Sequence, residues 1–268
     1  MVVEDARARM KGTLGVLVML ALTAACATGP ARPPTGTPEP DKFLFERGTE
    51  SLNERKWLTA REYFRQLVDV YPQSPYRADA KLGVGDTYLG EGTTEAYLLG
   101  INEFQEFLSY YPTHRRADYA QYKLGMAHYY QMRAPERDQT ETREAIRELT
   151  AFMERYPSSA LREEGAARLR EARDRLSASE QHVGLHYFRQ RWYPGAIERF
   201  KSLLERDANF TNRDATYFYL AQSLEAIQRP AEALPYYDRL IKEFEKSEFL
   251  LEAQKKAEAI RSTMAKKT

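Results

Sequence analysis

The sequence predicts an all-α protein, a superhelical array of about five helix pairs standing behind a proline-rich tether. Three observations predict it. From Asp41 onward the apolar residues recur at helical rather than alternating spacing. A four-part unit returns five times: a small residue, a second small residue, an aromatic or leucine four later, and an apolar residue three later again. Three of these units close on Tyr-Pro, and proline stops a helix.

Composition bounds the function classes. The 268 residues are 43% hydrophobic and 29% charged, with 18 Tyr and 12 Phe, which is the material of a folded body. Disordered chains lack such aromatic content. A formal net charge of +1 gives no global basic excess for nucleic acid and no acidic excess for a cationic partner.

The elements follow in chain order. Lys11 precedes an apolar run ending in small residues at Ala25, the three-part layout of a secretory signal. The run is shorter than the roughly 20 apolar residues a membrane span needs. Val2–Asp5 ends in two acids, which is unusual for a signal start. Met10, directly before Lys11, is therefore an alternative initiator to Met1. Leu22-Thr23-Ala24-Ala25-Cys26 resembles a bacterial lipobox, with Leu22 one step earlier than usual. Cys26 is the chain's single cysteine and has no internal disulfide partner. The resemblance implies lipid on Cys26, and Ala27 after it implies sorting to the outer membrane. Several acyl chains on one residue anchor durably where one chain does not. Residues Ala27–Pro40 hold five prolines and two glycines in fourteen positions, which suits a semi-stiff tether and not a helix interior.

In the body, the first unit is Gly48, Ala60, Phe64 and Leu67. The second is Gly85, Gly100, Phe104 and Phe107, and the third Gly125, Ala145, Leu149 and Phe152. The fourth is Gly184, Ala196, Phe200 and Leu203, and the fifth Ala221, Ala233, Tyr237 and Leu240. The two small residues lie twelve apart in the first, fourth and fifth units. The second unit adds three residues and the third adds eight. Antiparallel helices approach closely where small side chains meet, and residues four and seven beyond the second small one share a face. The stops are Tyr71-Pro72, Tyr111-Pro112 and Tyr156-Pro157. This series resembles the tetratricopeptide repeat, whose stacked pairs form a concave protein-binding face.

A closer resemblance follows. Tyr71-Pro72-Gln73-Ser74-Pro75-Tyr76, with Ala80 and Leu82, is similar to the first-repeat junction of the BamD family of outer-membrane assembly lipoproteins. Pro112-Thr113-His114, Asp118–Tyr122 and Gly125-Met126 resemble the second junction, and Arg137-Asp138 the family's longer third-repeat loop. Tyr156-Pro157-Ser158-Ser159 matches the next stop. Arg168-Leu169, Arg175-Leu176, Glu180, Val183, and Tyr187 ahead of Arg199 continue the order. Arg206-Asp207-Ala208-Asn209 departs from it, standing where a Tyr-Pro-like stop is usual. A distinct fifth repeat is also clearer here than in some relatives.

The resemblance implies a non-catalytic periplasmic scaffold, lipid-anchored in the outer membrane, that assembles β-barrel proteins. It implies four regions: residues 1–25 a signal, 26–40 a lipidated tether, 41–157 repeats that hold unfolded barrel segments, and 158–268 repeats that dock on the barrel-forming assembly subunit. The implied partners are that subunit's periplasmic domains, other assembly lipoproteins, unfolded outer-membrane protein segments and, through lipid, the membrane. Nucleic acid is not among them, and no cofactor is implied. Arg199, in Ala-Ile-Glu-Arg-Phe, matches a family arginine that contacts an acid of the barrel subunit. The alternative is a related periplasmic repeat protein of cell-wall synthesis or envelope constriction. Those usually carry a coiled-coil start and a non-lipid signal.

Catalytic chemistry finds no constellation. His182 and His186 lie four apart, as zinc ligands can, but the glutamate of a metalloprotease helix is missing and no third ligand is evident. Gly83, Gly85, Gly90 and Gly92 have Tyr88 where a dinucleotide fingerprint needs glycine. They read as helix packing at Gly85 and a turn at Gly90 and Gly92. Arg162–Arg175 mixes both signs, as a solvated helix face does. Arg115-Arg116 and Lys266-Lys267 are too small for a nucleic-acid surface.

Overall fold

The computed structural model describes residues 32–266. The signal run, Cys26 and the first tether residues lie outside it. Every regular element among the described residues is a helix. Residues 32–39 form no helix, and Thr37 turns back to hydrogen-bond the Pro34 carbonyl. No helix among the described residues is long and apolar enough to cross a membrane.

The chain divides into two compact units, Met1–Glu91 and Gly92–Thr268. The first holds α1 (Pro40–Asn53), α2 (Trp57–Val70) and α3 (Arg77–Glu91), packed mutually. Helix α1 opens on Pro40, whose fixed φ and missing N–H cost nothing in a first turn. Phe64 of α2 is fully buried between α1 and α3. Beside it Arg61 is also buried. Its Nε donates to Thr87 Oγ1 at 2.9 Å, its Nη2 faces Glu91 at 2.8 Å, and its guanidinium lies 3.7 Å over the Tyr88 ring. The Thr87 hydrogen bond, the Glu91 charge and the Tyr88 ring together offset part of the cost of desolvating this cation.

The second unit holds α4 (Thr94–Tyr110), α5 (Ala117–Tyr129), α6 (Thr140–Arg155), α7 (Arg162–Arg189), α8 (Tyr193–Arg206), α9 (Arg213–Ala226), α10 (Pro230–Glu243) and α11 (Leu250–Ala265). Each packs on the next. The Thr93 hydroxyl caps α4 by accepting the Ala96 N–H at 3.1 Å. Helix α7 runs 28 residues and serves two cores. Leu169, near its start, joins Tyr122, Met126, Leu149 and Phe152. Leu185, Tyr187 and Phe188, near its end, pack on a second core around Phe200, Phe218 and Tyr237. Helix α11 packs on α10 with Ala253, Ala257 and Ile260 inward.

Three helix-pair turns share one geometry. Arg55, Arg191 and Gln228 stand at φ of 59°, 59° and 61°. The following N–H of Lys56, Trp192 or Arg229 reaches back to Ser51, Tyr187 or Leu224 respectively. This is the double-bonded left-handed helix stop. Each lies seven residues past its unit's first small residue, so the twelve-residue spacing encodes a turn as well as a contact. Gly90, expected in a turn, is instead helical near the end of α3. There a Cβ would lie 2.8 Å from the Trp57 ring, so the glycine serves packing. Gly92 is the turn residue, at φ +71°.

Candidate partner-docking site

The repeat residues form the frame that fixes the outer faces. A Cβ at Gly48 would lie 2.7 Å from Phe64 Cε1, and one at Gly125 would lie 2.8 Å from Leu149 Cδ2. The Phe200 ring covers Gly184 in the same way. Ala60, Ala145, Ala196, Ala221, Ala233, Phe104 and Tyr237 are fully buried, and Gly85 and Gly100 are buried in α3 and α4. Two glycines with the same role escaped the sequence reading. Gly83 lies under the other edge of Phe64, and Gly165 under Phe152, each with a would-be Cβ 2.5 Å from the ring. Their signal was available: a glycine inside a helical pattern costs about 1 kcal/mol and calls for a packing reason.

The repeat junctions carry a recurring latch. Tyr71, Tyr111 and Tyr156 cap the C-termini of α2, α4 and α6. Three residues after a capping residue, Ser74, Ser159 and Ser247 donate to Asp41, Asp118 and Asp214, each at 2.6 Å. Each acid sits in the first turn of the helix that opens that repeat. The junction that breaks the Tyr-Pro pattern reverses the roles. Asp207 caps α8 and itself accepts, from Arg170 at 3.0 and 2.5 Å and from Ser177 at 2.6 Å. Burial pushes its carboxyl upward, but the Arg170 and Ser177 hydrogen bonds outweigh that and hold it below the usual carboxylate range.

Against this frame Arg199 is exposed on α8, beside the buried Phe200. Its guanidinium lies 6.0 Å from the centroid of the Tyr187 ring. At the turn entering α8, Trp192 is 55% exposed. Its ring lies close over Gly195 and meets Tyr187 edge-on at 4.8 Å. Sequence reasoning did not single out Trp192, although a tryptophan at a polar turn is a visible signal.

The other candidates find ordinary roles. His182 Nε2 faces Glu136 Oε1 at 2.9 Å, which ties the long α5–α6 loop to α7. His186 lies against Tyr187. Among the described residues no three His, Cys, Asp or Glu side chains are grouped to hold a metal. Gly83, Gly85 and Gly90 are all inside α3. Arg116 stacks over Tyr119 at 4.2 Å. Lys266 caps α11, and Lys267 lies outside the described residues. His128, unremarked in the sequence, is buried with Nδ1 2.7 Å from Glu141.

The family model described as "YfiO: Outer membrane lipoprotein" matches residues 38–233. The outer membrane protein assembly factor BamD of Caulobacter vibrioides is 28% identical over 224 residues, covering 82% of this chain and 72% of that protein. BamD of Vibrio cholerae is 25% identical over 227 residues, covering 81% and 90%. Among solved structures, the TPR2AB domain of yeast Sti1 in its pHSP90 complex is 12% identical, with a TM-score of 0.45 and 84% of each chain covered. With well over half its length matched from tether to fifth helix pair, the chain belongs to the YfiO family of outer membrane lipoproteins.

Proposed function

We propose that this protein is a non-catalytic scaffold that takes part in the assembly of β-barrel proteins in the outer membrane. The observation that carries the reading is the family match over residues 38–233, joined by assembly-factor relatives that align with most of the chain. In this reading Cys26 carries the lipid anchor and the body faces the periplasm. Residues 41–157 hold unfolded barrel segments, and residues 158–268 dock on the periplasmic domains of the barrel-forming subunit. Other assembly lipoproteins are further partners. Arg199 supports the docking half of the proposal: it is exposed, and among the described residues its one close partner is the Tyr187 ring, so its charge is available to a carboxylate.

Two experiments test this. Detergent-solubilised outer membranes should yield the chain together with the barrel-forming subunit, and Arg199→Glu should weaken binding to that subunit's purified periplasmic domains by roughly tenfold or more at fixed salt, about 1.4 kcal/mol. A change below about twofold, the scale of an exposed ion pair, would make Arg199 a plain surface charge. Mass spectrometry of the membrane-extracted chain should find no peptide upstream of Cys26. An unmodified Cys26 inside an intact N-terminal peptide would remove the lipid anchor from the model.

A further inference from the structure

The five helix pairs act as internal controls for one another. The second helix of each ends on an exposed residue, ten places past the unit's second small residue. In the last three pairs that residue is charged: Arg155, Arg206 and Glu243. In the first two it is apolar or aromatic, Val70 at 57% exposed and Tyr110 at 70%. The junctions beyond diverge further. Val70–Tyr76 holds no charged residue. Arg115 and Arg116 follow Tyr110, and each remaining junction carries at least one charge over the same seven positions. Of the five, the uncharged junction is the one at the helix pair that the tether enters.

Pro40, the first residue of α1, lines one cavity with Val70, Pro72 and Pro75. Asp41, the one charged residue lining it, accepts a hydrogen bond from Ser74 at 2.6 Å. Lys42 beside it faces Glu39 at 3.3 Å. The surface at the root of the tether is therefore apolar, and the charges next to it are matched. The tether also reaches less far than its fourteen residues suggest. The Thr37 N–H and hydroxyl both donate to the Pro34 carbonyl, at 3.0 and 2.7 Å, and turn the chain back. Ala27–Pro33 then spans at most about 25 Å. A small apolar patch binds a bilayer weakly by itself. A tether this short raises its effective concentration to about the millimolar range, where a weak contact is kept.

We infer that the first repeat junction, Val70, Pro72 and Pro75 at the root of the tether, rests directly on the phospholipid bilayer that holds the anchor. The inference rests on the reading above that Cys26 is lipidated. Val70 and the two prolines enter the interfacial zone, and half-buried Tyr71 supplies the amphipathic ring that this zone favours. Contact at this edge sets the height of the first unit above the bilayer, which the lipid alone leaves free.

A lipidated Cys26 keeps its sulfur in a thioether, so a cysteine introduced elsewhere is the chain's only free thiol. Val70→Cys, Arg155→Cys and Glu243→Cys chains are extracted with their lipid, labelled with a nitroxide and reconstituted into vesicles of phosphatidylethanolamine and phosphatidylglycerol. All three positions are exposed, so helix content should not change. Collisions of the label with oxygen, which concentrates in the bilayer, are compared with collisions with a water-soluble nickel chelate. The oxygen-to-nickel ratio at position 70 should exceed that at 155 and 243 by at least twofold. A smaller difference, with no free thiol in the unsubstituted chain, overturns the inference while the lipid anchor stands. Label on Cys26 of the unsubstituted chain removes the anchor reading first, and the inference with it. Nickel protection at position 70 in a Cys26→Ser, Val70→Cys chain without vesicles, growing with protein concentration, assigns the junction to a second copy and overturns the inference as well.

Discussion

Phe64→Ala should destabilise the first unit by about 3–5 kcal/mol, the usual cost of emptying a fully packed phenylalanine site. The ring has no alternative packing. Gly48 of α1 and Gly83 of α3 approach it from two sides, so closely that a methyl at either would overlap it. Removing the ring leaves a gap between helices whose facing residues have no side chain to move in. Urea unfolding followed by circular dichroism should show a lowered midpoint, and hydrogen exchange should place the loss in α1–α3. The same geometry predicts a paired result. Gly83→Ala alone overpacks the site and should cost roughly 1–3 kcal/mol. Added to Phe64→Ala, it should recover part of the loss, because the new methyl fills vacated space and the helix gains a better former. Strict additivity of the two substitutions would show that they do not share that space.

Asp207→Ala should cost about 2–3 kcal/mol, somewhat below the full price of breaking a buried ion pair because Arg170 keeps partial contact with water. The carboxylate joins residues far apart in sequence: Arg170 and Ser177 on α7 both donate to it at the end of α8. Its loss strands Arg170 beside Asp174 alone. The pH dependence has a defined sign. The folded carboxyl is held below its ordinary value, so the unfolded chain binds the proton first. Its contribution is therefore present above the usual carboxylate range and disappears as pH falls through the depressed folded value. Wild type should lose stability faster than Asp207→Ala over that acidic window, and the two should converge at its lower end. Parallel pH–stability curves would mean that Asp207 titrates alike in both states.

What was legible in the sequence is what short-range physics fixes. Helical periodicity, the Tyr-Pro stops and the small-residue spacing are local, so the all-α class and the unit register could be read from neighbours fewer than about twenty residues apart. The family resemblance, carried by the junction motifs, gave the direction of the functional reading. Tertiary structure decided the rest, because it depends on how far one helix slides and rotates against another. That offset puts Gly83 beneath Phe64. It sets Asp207 opposite Arg170, 37 residues away, where the sequence showed a missing Tyr-Pro stop. It draws Gly90 into a helix because the Trp57 ring needs a surface without a side chain. On α8 it turns Phe200 inward and leaves Arg199 outside, near the same Tyr187 that meets Trp192. A charged residue one position from a core aromatic is ordinary in any amphipathic helix. Tyr187, Trp192 and Arg199 lie within thirteen residues of one another, but their contacts arise only when the long helix and the helix after the turn fold back on each other.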